Sequence, residues 1–412
     1  LTTQHEPQPQ RSAWRGFGEP PPLTGLQRFP TYTEEFAADP HEVYDQMRRQ
    51  HKTLASVELA PGVPATLVIG YFTAIRINND DAHFPADPRT WQERVPDDCP
   101  VKPMMAYRPN ALRSAGDEHR RFRKASVDGI EKINLFNLNS EIEDIAIPQI
   151  NQFCRLGQAD LVGQYAFPLT FAYLNQMVGC PPQIGQDVAQ GMAQMFEGAN
   201  AAEGNALFEG ALARLVSLKR TVPGEDLTSR LIAHPADLTD SELVQQLVTI
   251  YGAGIEPLTN LIANTLLLML SDGRFQGEGA LTTRDALNEL LFKDPPLANF
   301  LITYPRQPIL VDEVWLPADQ PVITSMGACN NDPAIVGAYT DNRSHLAWGT
   351  GPHTCPAKSV AYSVAQNAID QLFDALPEMM LSCRPDELVW RPGGFHRSLA
   401  ALPVEFPQSG PF

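Results

Sequence analysis

The chain has 412 residues, with 48 Asp or Glu against 31 Lys or Arg and a formal net charge of −17. That balance argues against binding nucleic acid or an anionic membrane across the whole surface, and leaves room only for a local basic face. Hydrophobic residues make up 43% and charged residues 19%, the composition of a chain that buries a core.

Six cysteines are spread through the sequence, and no pair has CxxC spacing. The pattern fits neither a disulfide framework nor a structural zinc site. The beginning of the chain has no charged-then-apolar signal pattern, and no apolar run approaches the roughly 20 residues of a membrane span. The expectation is a cytoplasmic protein outside the membrane, of enzyme size.

Residues 1–25 are polar and carry Pro7, Pro9, Pro20, Pro21 and Pro22, which reads as a loosely ordered arm. Residues 26–412 read as one domain. Leu54 to Tyr71 mixes apolar runs with turns at Gly62 and Gly70 and predicts a hairpin or short sheet. Apolar spacing over 131–180 predicts paired helices. Phe300 to Ser325, broken by Pro305, Pro308 and Pro317, predicts a second β region. Helix dominates, so the fold class is mainly α with small β-sheets.

The strongest predicted helix runs from Asp240 to Leu270, with a Thr239–Glu242 capping box ahead of it and Gly273 as a stop. It would span roughly 46 Å and is apolar on most faces, so it belongs in the core. Gly252, Gly254 and Pro257 interrupt its middle. An interior proline costs about 3 kcal/mol unless compensated. Such a bend lines a ligand site or packs against a neighbouring helix, and composition does not choose between the two.

Residues 346–362 read LAWGTGPHTCPAKSVAY. Gly349 and Gly351 permit tight or left-handed turns. Pro356 suits the first position of a helix whose apolar stripe is Val360, Ala361, Val364, Ala368, Ile369 and Leu372. Cys355 then falls at a helix N-terminus, where the dipole favours a thiolate. A small core cysteine is the commoner alternative, and a Cys–His nucleophile is compatible with the spacing. A zinc site lacks partners beyond His353 and Cys355, and a phosphate loop lacks its Lys-Ser/Thr.

This loop resembles that of the cytochrome P450 superfamily, whose pattern is F-x-x-G-x-[HR]-x-C-x-[GA]. Trp348, Gly349, Gly351, His353, Cys355 and Ala357 stand in its places. The resemblance implies the cytochrome P450 fold, haem b as cofactor and Cys355 as thiolate ligand of the iron. It extends over nearly the whole chain. His119 and Arg123 look like the family's H-x-x-x-R pair that binds haem propionates, with His353 as a further partner. Asn330, Asn331, Asp332 and Pro333 match an A-N-R-D-P-like segment. Ser398, Leu399, Leu402, Pro403 and Val404 resemble the C-terminal hairpin.

Three departures stand out. The E-x-x-R motif reads Glu289, Leu290, Leu291, Phe292, which leaves the carboxylate without its Arg; another donor, such as Arg343 or backbone N–H groups, or partial solvation is expected in its place. The A-G-x-[DE]-T segment reads Ala253, Gly254, Ile255, Glu256, Pro257, so proline replaces the alcohol that helps deliver protons, and Thr259 lies two residues on. The stretch from Pro333 to Leu346 is short, which implies an abbreviated loop under the haem.

The expected function is a haem-thiolate oxidoreductase of secondary metabolism. It would oxidise or couple an apolar or aromatic small molecule or a peptide-like natural product, using O2 and electrons from a ferredoxin. Ala253 and Gly254 would line the haem pocket, with Glu256 and Thr259 as catalytic candidates. The loop between Phe84 and Arg113 and the helices near 185–215 (Met192, Met195, Gly198, Gly204, Gly210) would form a lid. Arg120, Arg121, Arg123, Lys124 and Lys358 would offer a basic face to the donor. A monomer or weak dimer is expected. The alternative function, motivated by the two lost residues, is a haem-binding regulatory or scaffold protein. Substrate-dependent consumption of reducing equivalents separates the two.

Overall fold

The computed structural model describes residues 28–197, 201–277, 279–335, 337 and 342–412. The Pro-rich arm at 1–25 and Gly198 of the expected lid lie outside the described residues. Helices dominate, with three small sheets among them.

The predicted hairpin forms as Leu54–Glu58 paired antiparallel with Pro64–Val68, closed through Gly62 at φ +77°. It sits in a five-stranded mixed sheet in the order Phe29–Pro30, Leu54–Glu58, Pro64–Val68, Val322–Ser325, Asn299–Thr303. The second predicted β region therefore joins the first, because Pro64–Val68 pairs in parallel with Val322–Ser325. A separate two-stranded ribbon, Ile309–Val311 with Val314–Leu316, turns at Asp312 and Glu313, both with positive φ. The C-terminal strand Pro403–Glu405 pairs with Gln158–Asp160 and Met380–Leu381.

The paired helices expected in 131–180 appear as Leu138–Phe153 and Phe167–Val178, with a short strand and a π-turn at Val162–Ala166 between them. They pack into the main apolar core, which also takes one side of the central helix and the helix after Cys355.

The central helix spans Asp240–Ser271, 32 residues or about 48 Å. Both hydrogen bonds of the Thr239–Glu242 capping box are made. Its end differs from expectation. Asp272 caps it, and Gly273 opens a short 3-10 turn instead of stopping the helix, because the Asp272 side chain accepts from the Arg274 N–H. The helix continues through Gly252, Gly254 and Pro257. Gly254 lies where a Cβ would meet Leu174 at 3.0 Å, so the glycine allows close approach of the Phe167–Val178 helix. This helix is long and apolar enough to cross a membrane, yet 61% of its most apolar window is buried within the protein.

Candidate active site

The cysteine loop is built by backbone hydrogen bonds. The Gly349 N–H donates to the Leu346 carbonyl at 2.7 Å, and the Cys355 N–H to the Trp348 carbonyl at 2.7 Å. The Thr354 N–H and hydroxyl both reach the Gly351 carbonyl, at 3.1 and 2.7 Å. Gly349 and Gly351 both sit at φ +75°. At Gly351 a Cβ would stand 2.0 Å from the Asn78 carbonyl oxygen, so no other residue fits without moving the backbone.

Cys355 is half-buried at the mouth of the helix Lys358–Ala375. That helix starts later than Pro356 predicts: Ala357 is its cap, and Pro356 belongs to the turn that carries the sulfur. Burial pushes the Cys355 thiol up, while the Ala357 N–H, Arg123 and Lys358 all act in the other direction. Trp348 and Ala357 pack against the main core on either side of the loop.

His119 and His353 come together, their rings stacked with centroids 4.0 Å apart. His119 is buried, and its Nε2 has no hydrogen-bond partner. Burial first, then the Arg123 charge, lowers its pKa to about 4. Burial, then His119 and Arg123, lowers His353 to about 3. Arg123 donates through Nη2 to the Thr354 carbonyl, next to Cys355. His353 also faces a small cleft lined among others by Leu301, Thr303, Thr350 and Arg113. Nothing in the sequence reading gave Arg113 a role beyond ending the lid loop, because its burial is not visible in composition.

On the central helix, Gly252 and Ala253 are exposed between buried turns, Tyr251 on one side and Ile255 on the other. A Cβ at Gly252 would meet nothing within 4 Å. Glu256 turns toward the C-terminal segment, where its Oε1 accepts from Arg391 Nη1 at 2.8 Å and Ser398 Oγ at 2.9 Å. Ser398 Oγ also lies 2.8 Å from the Asn260 side-chain oxygen. Thr259 is buried with an unpartnered hydroxyl. The structure thus brings Glu256 to Ser398 and not to Thr259.

Glu289 corrects another expectation. It is not held by Arg343 but by Arg274 at 2.8 Å and Lys293 at 2.5 Å. Lys293 is one turn along the same helix, and the 3-10 turn after the central helix supplies Arg274. Phe292, in the place of the missing Arg, is buried against His345. The expected basic face is largely self-neutralised. Arg120 pairs with Asp117, Arg121 with Glu242 and Lys124 with Asp128, while Lys358 is exposed.

The comparisons match this geometry. The chain is 28% identical over 392 residues to the cytochrome P450 monooxygenase PikC of Streptomyces venezuelae, covering 90% of this chain and 92% of that protein. It is 26% identical over 392 residues to 2-hydroxy-5-methyl-1-naphthoate 7-hydroxylase of Streptomyces carzinostaticus, covering 89% and 95%. The structure of CYP154C4 from Streptomyces sp. W2061 superposes with a TM-score of 0.83 at 24% identity, covering 94% and 99%. No protein-family model matches. The fold is that of the cytochromes P450, and the curated relatives that this chain resembles over about 90% of its length are P450 monooxygenases and hydroxylases, which makes haem the implied cofactor.

The residues fit that cofactor. Iron would take the sulfur of the half-buried Cys355, whose loop is set by the Cys355 N–H bond to the Trp348 carbonyl. In the basic cluster the buried His119 Nε2 has no partner, and a propionate would satisfy it. The bare Gly252–Ala253 stretch leaves room for a flat group against the central helix.

Proposed function

We propose that the chain is a haem b monooxygenase acting on an apolar or aromatic small molecule of secondary metabolism, in the cytoplasm, with electrons from a ferredoxin-type donor. The supporting observation is the Cys355 loop beside a buried basic cluster that lacks carboxylate partners among the described residues. The naphthoate hydroxylase among the relatives supports an aromatic substrate.

When bound, haem with a thiolate ligand supplies activation of dioxygen. This chain would supply the rest. Cys355 would hold the iron, with the Ala357 N–H donating to the sulfur and tempering its charge. His119, Arg123 and His353 would hold the propionates. Gly252 and Ala253 would form the wall of the substrate chamber, whereas Gly254, expected to line the pocket, faces Leu174 of the neighbouring helix. Trp348 would pack behind the loop.

Proton handling would centre on Glu256. Proline at 257 leaves no hydroxyl beside the acid on its own helix, and Ser398 brings one from the C-terminal segment. Ser398 Oγ–H donates to Glu256 Oε1, and Arg391 fixes the same oxygen. The carboxylate and hydroxyl form a two-member relay on which a proton can be held or passed. Thr259, buried and unpartnered, is a secondary candidate.

The test is a panel of aromatic and polyketide-like compounds with a reconstituted ferredoxin system. Substrate-dependent consumption of reducing equivalents with an oxygenated product is expected. A haem-loaded protein that consumes none with any compound and forms no product with peroxide would overturn the proposal.

A further inference from the structure

We infer that Arg113 is a haem propionate anchor, delivered from the loop ahead of the His119 helix and outside every motif that marks the site. This inference rests on the proposed reading of Cys355 as the haem ligand.

Arg113 is only 2% exposed. Its Nη2 donates to the Met104 carbonyl at 3.0 Å, its Nε has no partner, and its guanidinium carbon lies 5.2 Å from the Phe300 ring centroid. No carboxylate among the described residues is within ion-pair distance of it. Arg108 in the same loop shows the ordinary arrangement, held by Glu209 at 2.7 Å, Asn205 at 3.0 Å and Gln245 at 2.9 Å. A buried cation without a counter-ion carries a large desolvation cost, and an anionic ligand is what relieves it.

The cleft says where that anion sits. Arg113 and His353 line the same space, with Thr350 from the cysteine loop and Leu301 and Thr303 from the sheet. The one acid there, Asp81, is exposed at its rim. Tyr304 adds a buried hydroxyl without a partner, close enough for the Arg113 charge to act on it. Among the motif residues, Arg123 is the single guanidinium, and a haem carries two carboxylates. Arg113 provides the second planar fork, suited to a bidentate carboxylate contact.

Haem and its dimethyl ester separate this role from a structural one, because the ester lacks the carboxylates. Each is loaded into wild-type, Arg113→Gln and Arg113→Lys proteins, and transfer to an excess of a scavenging apoglobin is timed. Arg113→Gln is expected to speed haem loss by about tenfold or more, the value of one charge-assisted contact. Loss of the ester should be unchanged. Arg113→Lys, which keeps the charge without the fork, should fall between and guards against a folding defect in the Gln variant. Equal haem loss from wild type and Arg113→Gln would overturn the inference, as would equal acceleration of haem and ester. A wild-type protein that takes up haem without a thiolate-type spectrum would instead overturn the reading of Cys355.

Discussion

Phe292 packs edge-on against His345, with ring centroids 5.9 Å apart and planes at 81°. The contact ties the Glu289 helix to the segment that leads into the cysteine loop. Asn330 makes a second tie, donating to the Leu291 carbonyl at 3.0 Å and accepting from the Leu346 N–H at 2.7 Å. An apolar anchor and a buried amide thus stand where the motif's arginine is missing. Phe292→Ala should cost about 3–5 kcal/mol, the range for emptying a buried aromatic site. Chemical denaturation of the purified variant checks the loss. Haem occupancy should fall with it, because the loop loses its support.

Glu289 titrates with a definite sign. Burial pushes its pKa up, and hydrogen bonds and charge from Arg274 and Lys293 together bring it below the usual 4.5. A carboxylate lowered on folding stabilises the protein above its unfolded pKa, and that stability is lost as pH falls through the folded value. In the wild type this contribution should fade below about pH 4.5. In an Arg274→Ala/Lys293→Met variant only burial remains, and the sign reverses. That variant should be weakest near neutrality and recover relative to wild type on acidification to pH 5. Thermal melts from pH 4 to 8 follow both curves.

Gly351 combines a left-handed backbone with the Asn78 carbonyl in the place a Cβ would take. Gly351→Ala should cost at least about 3 kcal/mol, because strain and overlap add. Gly62, also at positive φ, has open space around it and is the control. Gly62→Ala should lower the melting temperature less and leave haem uptake intact.

Ser398 should matter through Glu256. Ser398→Ala removes the hydroxyl but keeps the Arg391–Glu256 pair at 2.8 Å. The expected result is a lower yield of product per reducing equivalent, by about tenfold at the low end of acid–base contributions. Glu256→Ala should lower it at least as far. Product and peroxide measured against electrons consumed give the ratio. The double variant should resemble Glu256→Ala, since both changes break one relay.

Much of this architecture was legible in local chemistry. The Thr239–Glu242 box, the Leu54–Glu58 hairpin and the glycines around Cys355 are short-range features, and their residue types state their geometry. The stacking of His119 on His353 was accessible only through motif spacing, since 234 positions separate them. Pairings made by tertiary packing were not legible. Arg274 reaches Glu289 because a 3-10 turn follows the central helix where a plain stop was predicted. Ser398 reaches Glu256 from a distant segment, and Arg113 looks like any loop arginine until its burial is known.

The central claim is that the Cys355 sulfur ligates haem iron as a thiolate. The absorption spectrum of the haem-loaded protein, reduced and then exposed to carbon monoxide, tests it most directly, with Cys355→Ala alongside. The account predicts a strongly red-shifted Soret band in the wild type and its loss in the variant. A band typical of neutral thiol or histidine ligation, or the same spectrum from both proteins, would contradict it.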